Sequence, residues 1–360
     1  MVQSKRITFN KNDVPDFYPE VRKRVENYFT SRNISFHANF AMVAKTVFIL
    51  SVFCTCYFLI LSDIFSPLIM LLLTCVLGFF TALIGFNIAH DAVHGAYSSN
   101  QRLNKILGMF FNLLGTNDYV WKIKHNIIHH TYTNIPEHDT DINQNALIRI
   151  KVSQKKFWIH RFQHIYVFLL YPFASLTWVL FNDYENFFQK KIGWYDNSNH
   201  PKKELFRLFL YKILYFAVFL LLPMVSISLP WYYILLGFVV LHLVEGLTLA
   251  IVFQLAHVVE EASFPIPEES GKMQYSWAAH QMYTTADFAR ESRLANFLFG
   301  GLNFQIEHHL FPRVCHVHYR KIAPIIKQTA EEFNLPYIEN KTFIGAIRSH
   351  IRAMKSLARN

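Results

Sequence analysis

The sequence predicts an all-α integral membrane protein with about four transmembrane helices and a cytoplasmic helical cap. Hydrophobic residues make up 52% of its 360 residues, whereas charged residues make up only 17%. The apolar residues are grouped in runs long enough to cross a bilayer. The basic residues are concentrated in some of the connecting segments, which indicates one orientation in the membrane. This composition excludes a disordered or collagen-like chain, and the four cysteines lack the paired spacing of a disulfide framework or zinc ribbon.

Four apolar runs reach the roughly 20 residues that a bilayer core requires. They lie at about 41–61, 67–88, 208–229 and 231–253. Two weaker apolar stretches, 103–115 and 165–181, are expected to be interfacial or re-entrant helices. The first is too short to span, and the second, if it crossed alone, would leave the basic segments on opposite faces.

The orientation follows from the distribution of Lys and Arg. The connections 62–66 and the turn at Pro230 contain neither, whereas segments 1–40, 89–205 and 254–360 are rich in both. The positive-inside rule therefore places both termini and the central loop in the cytoplasm. We expect one domain over residues 1–360, with 1–40 as a cytoplasmic N-terminal segment and 254–360 as the cytoplasmic cap.

Histidines cluster near the cytoplasmic ends of the predicted spans. The sequence contains 18 of them, and three groups have helical spacing. A step of three or four residues places side chains on one face of a helix. The groups read HDAVH, HNIIHH and QIEHH, and their histidines are His90, His94, His125, His129, His130, His308 and His309.

This number of imidazoles indicates more than one metal ion. A single zinc takes about four ligands, and imidazole also suits iron, copper and nickel. Seven histidines, with His257 at the end of the fourth span as an eighth, would fit two near-octahedral irons with open positions. One HxxxH pair alone is more often a chance pair or a solvated helix face. Three groups on the same predicted face make that explanation improbable.

The three motifs resemble the histidine boxes of the membrane-bound fatty acid desaturase superfamily. The matching segments are His90-Asp-Ala-Val-His94-Gly, His125-Asn-Ile-Ile-His129-His130 and Phe304-Gln-Ile-Glu-His308-His309. The resemblance covers about residues 38–330. Gln305 stands where most branches have histidine, which is similar to the front-end, linoleoyl-CoA desaturase-like branch. We expect no fused cytochrome b5 domain, because the His-Pro-Gly-Gly motif is missing and forty residues before the first span are too few.

The resemblance implies an oxygen-dependent fatty acyl desaturase that introduces a cis double bond into a long-chain acyl group. It implies two Fe ions, O2 as co-substrate and an acyl-CoA or acyl-lipid substrate. Electrons would come from a separate carrier, a ferredoxin or cytochrome b5 with its reductase. The expected location is the bacterial inner membrane or the endoplasmic reticulum, with the active site on the cytoplasmic face, membrane lipid as a partner and no nucleic acid.

Polar residues beside the boxes are candidates for supporting roles. Asp91 and Glu307, like Asp139 and Asp141, could accept the outer N–H of a metal-binding imidazole, or could equally be capping or surface charges. Gln305, or alternatively Gln254, could support the metal site. In the fourth span, His242 and Glu245 are either functional or a mutually satisfied pair in the helix bundle.

Three other functions remain open at this point. A di-iron hydroxylase of lipid or alkane substrates would use nearly the same histidine boxes. A bis-histidine haem electron carrier would need paired histidines deep inside two spans, and only His242 lies deep. A membrane scaffold without activity would hold no iron.

Overall fold

The computed structural model describes residues 7–142, 146–150 and 154–359, and helices dominate it. In chain order, the helices are α1 (Phe17–Ser31), α2 (Phe40–Leu61), α3 (Pro67–Val93), α4 (Gln101–Gly108), α5 (Phe110–Leu113), α6 (118–132), α7 (Trp158–Phe188), α8 (Lys202–Ser226), α9 (Trp231–His257), α10 (Trp277–Thr284), α11 (Arg293–Leu298), α12 (Gln305–Leu310), α13 (Tyr319–Glu332) and α14 (Phe343–Arg359). The described part of the chain also contains two short strand pairs. The strands β1 (Lys191–Ile192) and β2 (Tyr195–Asp196) are antiparallel, and β3 (Asp287–Phe288) and β4 (Glu339–Asn340) are parallel.

Among the described residues, five helices are long and apolar enough to cross a membrane: α2, α3, α7, α8 and α9. Four of them correspond to the predicted spans, with α3 reaching Val93, α8 running from Lys202 to Ser226 and α9 reaching His257. The fifth, α7, contains the stretch that was expected to be interfacial, so the count of four is not confirmed. The expectation used 165–181 alone, whereas the helix extends to Trp158 and Phe188 and gains apolar residues at both ends.

The two short connections without basic residues meet in space. Asp63 follows α2, and its carboxylate accepts a hydrogen bond of 2.9 Å from the backbone N–H of Ser228, which precedes α9. The Ser228 hydroxyl also donates to this carboxylate. The turns between α2 and α3 and between α8 and α9 therefore lie on the same side of the helix bundle.

Small residues let the long helices approach one another closely. A β-carbon on Gly78 of α3 would overlap the backbone carbonyl of Leu241 in α9, and one on Gly246 of α9 would overlap the carbonyl of Pro172 in α7. Close backbone contact at glycine is typical of helices that pack inside membranes. The region of α7 around Pro172 is a 3₁₀ turn between α-helical segments, because proline removes a backbone donor.

The segment after α9 packs with α1 into a second apolar core. Phe17 and Val21 of α1 lie against Ile322 and Ile326 of α13, and Ile306 of α12 belongs to the same cluster. This core holds the third histidine box on the short helix α12. The parallel pair of β3 and β4 joins the chain just before α11 to the chain just before α14.

Two π-helical segments lie directly at the first two histidine boxes. Gly85–Ala89 precedes His90 in α3, and Ile123–His129 forms the middle of α6. A π segment pairs residues five apart and often occurs at functional sites. These segments therefore change which side chains share a face at the point where the histidines project.

Candidate metal centre

All three histidine boxes and His257 converge at one end of the long helices. Seven of the eight predicted ligands are buried, and His94 is half-buried. They come from four different elements, which brings together residues more than 200 positions apart in the sequence: His90, His94, His125, His129, His130, His257, His308 and His309.

The first group contains His90, His94, His125 and His308. One ring nitrogen of each lies within 4.8 Å of the corresponding nitrogen of every other member. The Nε2 atoms of His90 and His125 are 3.1 Å apart. The indole of Trp121 stacks on the His125 ring with a centroid distance of 4.3 Å, which fixes the orientation of that ligand.

The second group contains His129, His257 and His309, whose nitrogens also lie within 4.8 Å of one another. His130 lies between the two groups. Its ring nitrogen forms a third cluster with His308 and His309, and its Nε2 atom is 3.2 Å from that of His125. The eight histidines thus form two adjacent sets of potential ligands.

The π segment of α6 explains how the second box serves both groups. A four-residue step on an α-helix would place His125 and His129 on one face. In the structure His125 joins the first group and approaches His130, five residues later. His129 joins His257 and His309, but its ring still stacks on that of His125 at a centroid distance of 5.3 Å. Pairing over five residues in the π segment matches this division.

Hydrogen bonds on the outer side of four rings orient their inner nitrogens. His129 Nδ1–H donates to Asp139 over 3.0 Å, and His309 Nδ1–H donates to the Gln281 side-chain oxygen over 2.8 Å. His257 Nδ1 is 3.4 Å from the Thr284 carbonyl, and His308 Nδ1 is 3.3 Å from the Tyr319 hydroxyl. Each of these bonds uses Nδ1, so Nε2 is the nitrogen of each ring that could bind a metal, as with the outer-sphere partners of ligating histidines.

Of these partners, sequence reasoning found only Asp139. Gln281, Thr284 and Tyr319 come from α10 and α13, which no spacing rule connects to the boxes. Asp141, the other carboxylate near the second box, is 3.8 Å from His129 and 3.6 Å from Lys124.

Gln305 rather than Gln254 contacts the predicted ligands. Its side-chain amide nitrogen is 2.8 Å from His257 Nε2 and 3.2 Å from His309 Nε2. No hydrogen-bond partner of the Gln254 oxygen occurs within the described part of the chain. Gln305 therefore occupies a position beside the second group where a histidine would add a further ligand.

Asp91 and Glu307 were expected to accept hydrogen bonds from the box histidines. Within the described ranges, their hydrogen-bond partners are other residues. Asp91 accepts from His316 Nδ1 over 2.7 Å and from the thiol of Cys315 over 3.0 Å. Within the described ranges, this carboxylate is therefore hydrogen-bonded to the turn that follows the third box and not to an imidazole of the first box. The role of Asp91 beside the metal ligands remains a prediction without a direct contact to support it.

Glu307 belongs to a buried carboxyl pair behind the third box. The Tyr337 hydroxyl lies 2.7 Å from a carboxyl oxygen of Glu307 and 2.7 Å from one of Asp287. Burial raises the pKa of Glu307 well above its usual value, with repulsion from Asp287 adding to the effect, and burial also raises the pKa of Asp287. The pair therefore retains a proton and stabilises the position of α12 from behind.

Burial keeps most of the imidazoles in the form that binds metal. It lowers the pKa of His125, His130, His308 and His309 well below the usual value, and the neighbouring histidines add to the lowering. Burial opposes protonation of His129 as well, but the Asp139 carboxylate outweighs it and raises the pKa of His129. Neutral imidazole is a metal ligand, so the group is electrostatically prepared for a cation.

The donor set fits a metal ion and is poorly satisfied by protein contacts alone. The Nε2 atoms of His94 and His308 are buried and have no hydrogen-bond partner in the part of the chain that the structure describes. Buried polar atoms are rarely left unpaired. Iron, which imidazole ligands suit, would satisfy these nitrogens and hold the close pair formed by His90 and His125.

The pair His242 and Glu245, deep in α9, links helices and does not belong to the histidine cluster. His242 Nδ1 is 3.0 Å from the Ser175 hydroxyl of α7, and its Nε2 is 2.8 Å from the Tyr215 hydroxyl of α8. The Glu245 carboxylate is 3.4 Å from His242. These contacts favour the interpretation as a pair within the helix bundle.

An apolar cavity begins beside the first histidine group. Its walls come from α3, α5, α6, α7 and α9 and from the segment after α5, and they are almost entirely apolar. The lining residues are Gly85, Phe86, His90, Phe111, Leu114, Thr116, Trp121, Trp178, Leu249 and Phe253. Gly85 lies five residues before His90 and Leu249 eight residues before His257. At about 1.5 Å per residue, the cavity extends from the histidines toward the interior of the helix bundle.

The comparison with protein families agrees with this site. Residues 66–341 match the family model described as fatty acid desaturase. The matched range includes all three histidine boxes and His257.

Similar proteins match over nearly the whole chain. The sn-1 linoleoyl-lipid 6-desaturase of Arthrospira platensis is 36% identical over 99% of this chain and 95% of its own length. The protein of the same name from Synechocystis sp. is 35% identical over 100% of this chain and 99% of its own. The acyl-lipid (8-3)-desaturase of Physcomitrium patens is 37% identical over 95% of this chain and 72% of its own. With its family match, its relatives and its two groups of histidines, this chain belongs to the fatty acid desaturase family.

Proposed function

We propose that this protein is a front-end acyl-lipid desaturase that inserts a cis double bond into a polyunsaturated chain held in a membrane lipid. The observation that carries the proposal is the pair of adjacent histidine groups at the mouth of an apolar cavity. A cavity with apolar walls suits a hydrocarbon chain and excludes water from it. His90 both lines this cavity and belongs to the first histidine group, so a bound chain would lie next to the metal ligands.

We assign two irons to the site. His90, His94, His125 and His308 would hold one, His129, His257 and His309 would hold the other, and His130 lies where it can reach either. Iron with O2 supplies an oxidant strong enough to remove hydrogen from an unactivated methylene, which no amino-acid side chain can do. The protein's part is to keep most of the imidazoles neutral through burial, and to orient them through the bonds to Asp139, Gln281 and Tyr319.

The choice of an acyl-lipid substrate is supported by the relatives and by the position of the cavity. The relatives from Arthrospira platensis and Synechocystis sp. both carry a name that specifies a linoleoyl lipid. Three of the helices that line the cavity, α3, α7 and α9, are apolar enough to lie in a membrane, so we expect an acyl chain to enter it from the bilayer. We propose sn-1 linoleoyl lipid, with desaturation at position 6, as the first substrate to examine.

Four crossings of the membrane agree best with the positions of the helix ends. The turns before α3 and α9 lie on one side, linked by Asp63 and Ser228, and the histidines at the other ends of α3 and α9 lie together. Helices α2, α3, α8 and α9 then cross alternately, so both ends of α7 must lie on the histidine side. We infer that α7 enters the bilayer and returns, with its break near Pro172, and that the histidines face the cytoplasm as the basic segments indicate.

The test uses purified protein reconstituted with iron in lipid nanodiscs, reduced and exposed to O2. We expect about two irons per chain, from the ligand number that octahedral iron takes. With linoleoyl lipid as substrate, mass spectrometry of the products is expected to show one additional cis double bond. Faster conversion of linoleoyl-CoA would contradict the choice of acyl carrier, and a hydroxylated product would favour the hydroxylase alternative.

A further inference from the structure

One half-buried aromatic side chain is hydrogen-bonded directly to a predicted metal ligand. The indole Nε1–H of Trp277, at the start of α10, donates to the backbone carbonyl of His130 over 3.0 Å. Trp277 is half-buried. Its single hydrogen bond thus connects a side chain at the protein surface to the histidine that lies between the two groups.

Other aromatic rings extend this contact along the surface. The ring of Tyr18, from α1, meets the Trp277 indole at a centroid distance of 5.5 Å and an angle of 90°. Tyr18 is half-buried and stacks on Phe311, which follows the third box, at 6.2 Å. Trp277 and Tyr18 form a half-buried patch, here called the Trp277 patch, and the buried Phe311 packs against Tyr18.

The remaining side chains that hydrogen-bond to the predicted ligands are shielded from solvent. Within the described ranges, all of these side chains are buried: Thr133, Asn134, Asp139, Gln281, Gln305 and Tyr319. Thr133 and Asn134 donate to backbone carbonyls of predicted ligands, and the other four were described above. Trp277 differs from them because it is only half-buried. Trp277 therefore connects the surface to His130 through covalent bonds and one hydrogen bond.

The proposed reaction requires such a route, since its electrons do not all come from the substrate. Forming one double bond releases two electrons and two protons, whereas reducing O2 to two waters consumes four of each. The two missing electrons, accompanied by two protons from solvent, must come from a reductant. A reduced protein cannot enter a buried site, so its electrons have to cross the cap.

We propose that Trp277 is the residue through which electrons enter, and that a one-electron carrier protein of the ferredoxin or cytochrome b5 class docks on the Trp277 patch. The carrier is oxidised by one electron in each of two encounters per double bond. Each electron passes through the indole and its hydrogen bond to the His130 carbonyl, and so to the imidazole between the two groups. The inference rests on the proposed desaturase function and adds to it the place where the carrier docks.

The test compares Trp277→Phe, which keeps a ring but removes the N–H donor, with Trp194→Phe as a matched control. Trp194 is also half-buried and also lies beside the second box, against Tyr132 at 5.4 Å, but its indole nitrogen has no hydrogen-bond partner among the described residues. Both variants lose an indole near α6. Only Trp277→Phe removes a bond to a predicted ligand.

Three quantities are measured on the iron-loaded proteins in nanodiscs. They are the iron content, the product formed in one turnover after reduction by dithionite, and the rate at which a reduced carrier reduces the iron under anaerobic conditions. The carrier is a [2Fe–2S] ferredoxin or soluble cytochrome b5, whichever reduces the wild-type protein faster. For Trp277→Phe we expect normal iron, normal dithionite-driven product and a carrier-driven reduction that is at least several-fold slower. Trp194→Phe should match the wild-type protein in all three.

A fourth readout does not involve iron at all. Carrier binding to the iron-free chain is measured by calorimetry for the wild-type protein and for Tyr18→Arg, which places a charge in the Trp277 patch. Weaker binding by Tyr18→Arg, with an unchanged melting temperature, supports docking at the patch.

Several outcomes would overturn the inference. The first is an unchanged carrier-driven rate of iron reduction in iron-replete Trp277→Phe. The second is a loss of iron in that variant, which would show that the bond is purely structural. The third is a wild-type protein that dithionite reduces but neither carrier does. A wild-type protein that forms no double bond even with dithionite would instead contradict the proposed function.

Discussion

Adding a methyl group at Gly85 should change which acyl chains the protein accepts. Gly85 lies in the wall of the apolar cavity, one turn before His90. A β-carbon built on it would lie 2.9 Å from Leu114 Cδ1 and 3.9 Å from Leu249 Cδ2, both of which also line the cavity. In Gly85→Ala the Leu114 side chain has to move, and the new methyl group and the displaced leucine together narrow the cavity.

The size of the effect follows from the value of a methylene group in an apolar pocket. One methylene is worth about 1–3 kcal/mol, or roughly 10- to 200-fold in kcat/KM. We therefore expect Gly85→Ala to shift the preference between linoleoyl chains and chains two carbons shorter by about tenfold or more toward the shorter ones. Because Leu114 presents the flexible end of a side chain, the cost in stability should stay near the lower end of the roughly 1–3 kcal/mol typical of overpacking.

The assay is a competition between the two chain lengths on the same lipid head group, with products quantified by mass spectrometry. Gly237→Ala is the matched control, since a β-carbon there meets only the Thr74 hydroxyl oxygen at 4.0 Å and lies away from the cavity. Gly85→Ala combined with Leu114→Ala should restore the wild-type preference by returning space to the cavity. An unchanged preference in a folded, iron-loaded Gly85→Ala protein would refute the assignment of this cavity to the acyl chain.

Three further predictions concern the metal ligands, the helix bundle and the C-terminal helix. Asp139→Asn weakens the charge-assisted bond to His129 and should lower iron affinity about 10- to 100-fold, measured by competition with a chelator; unchanged affinity would contradict this role. Lys212→Met leaves Asp183, 2.8 Å away and buried, without its cation and should destabilise the protein by about 3–5 kcal/mol, whereas adding Asp183→Asn should recover much of the melting temperature. Burial lowers the pKa of His350 from 6.5 to about 4, so the unfolded chain binds a proton more readily between these values. The contribution of His350 to the free energy of unfolding should therefore be full above pH 6.5 and be lost as the pH drops toward about 4, by an amount on the order of 3 kcal/mol. Thermal unfolding of His350→Gln should lack this pH dependence. Equal slopes of stability against pH in the variant and the wild-type protein would contradict the prediction.

The sequence predicted the parts of the molecule that depend on composition and local spacing. Apolar runs of bilayer length identified α2, α3, α8 and α9, and the absence of basic residues identified the two turns that Asp63 and Ser228 join. Helical spacing identified the boxes, and position at the end of a span identified His257. These inferences use periodicity and charge, which remain visible in one sequence.

Features that arise from the backbone or from distant contacts could not be predicted in the same way. The π segment Ile123–His129 brings His125 close to His130, five residues later, whereas an assumed α-helix predicts only the pairing of His125 with His129. Gln281 and Tyr319 reach the histidines from helices with no motif of their own. Asp91 looked like an outer partner of the first box, but the fold brings His316 to it from more than 200 residues away.

Fatty-acid profiling tests the central claim most directly. An aerobic host that supplies linoleoyl lipids and a one-electron carrier would express either the wild-type protein or His130→Ala, which removes the imidazole between the two groups. The lipids are analysed by gas chromatography and mass spectrometry, with derivatives that locate double bonds. The desaturase account predicts a new polyunsaturated acid, with its added double bond at position 6, in cells with the wild-type protein and none with the variant. Hydroxylated lipid in its place, or the same new acid with both proteins, would contradict the account.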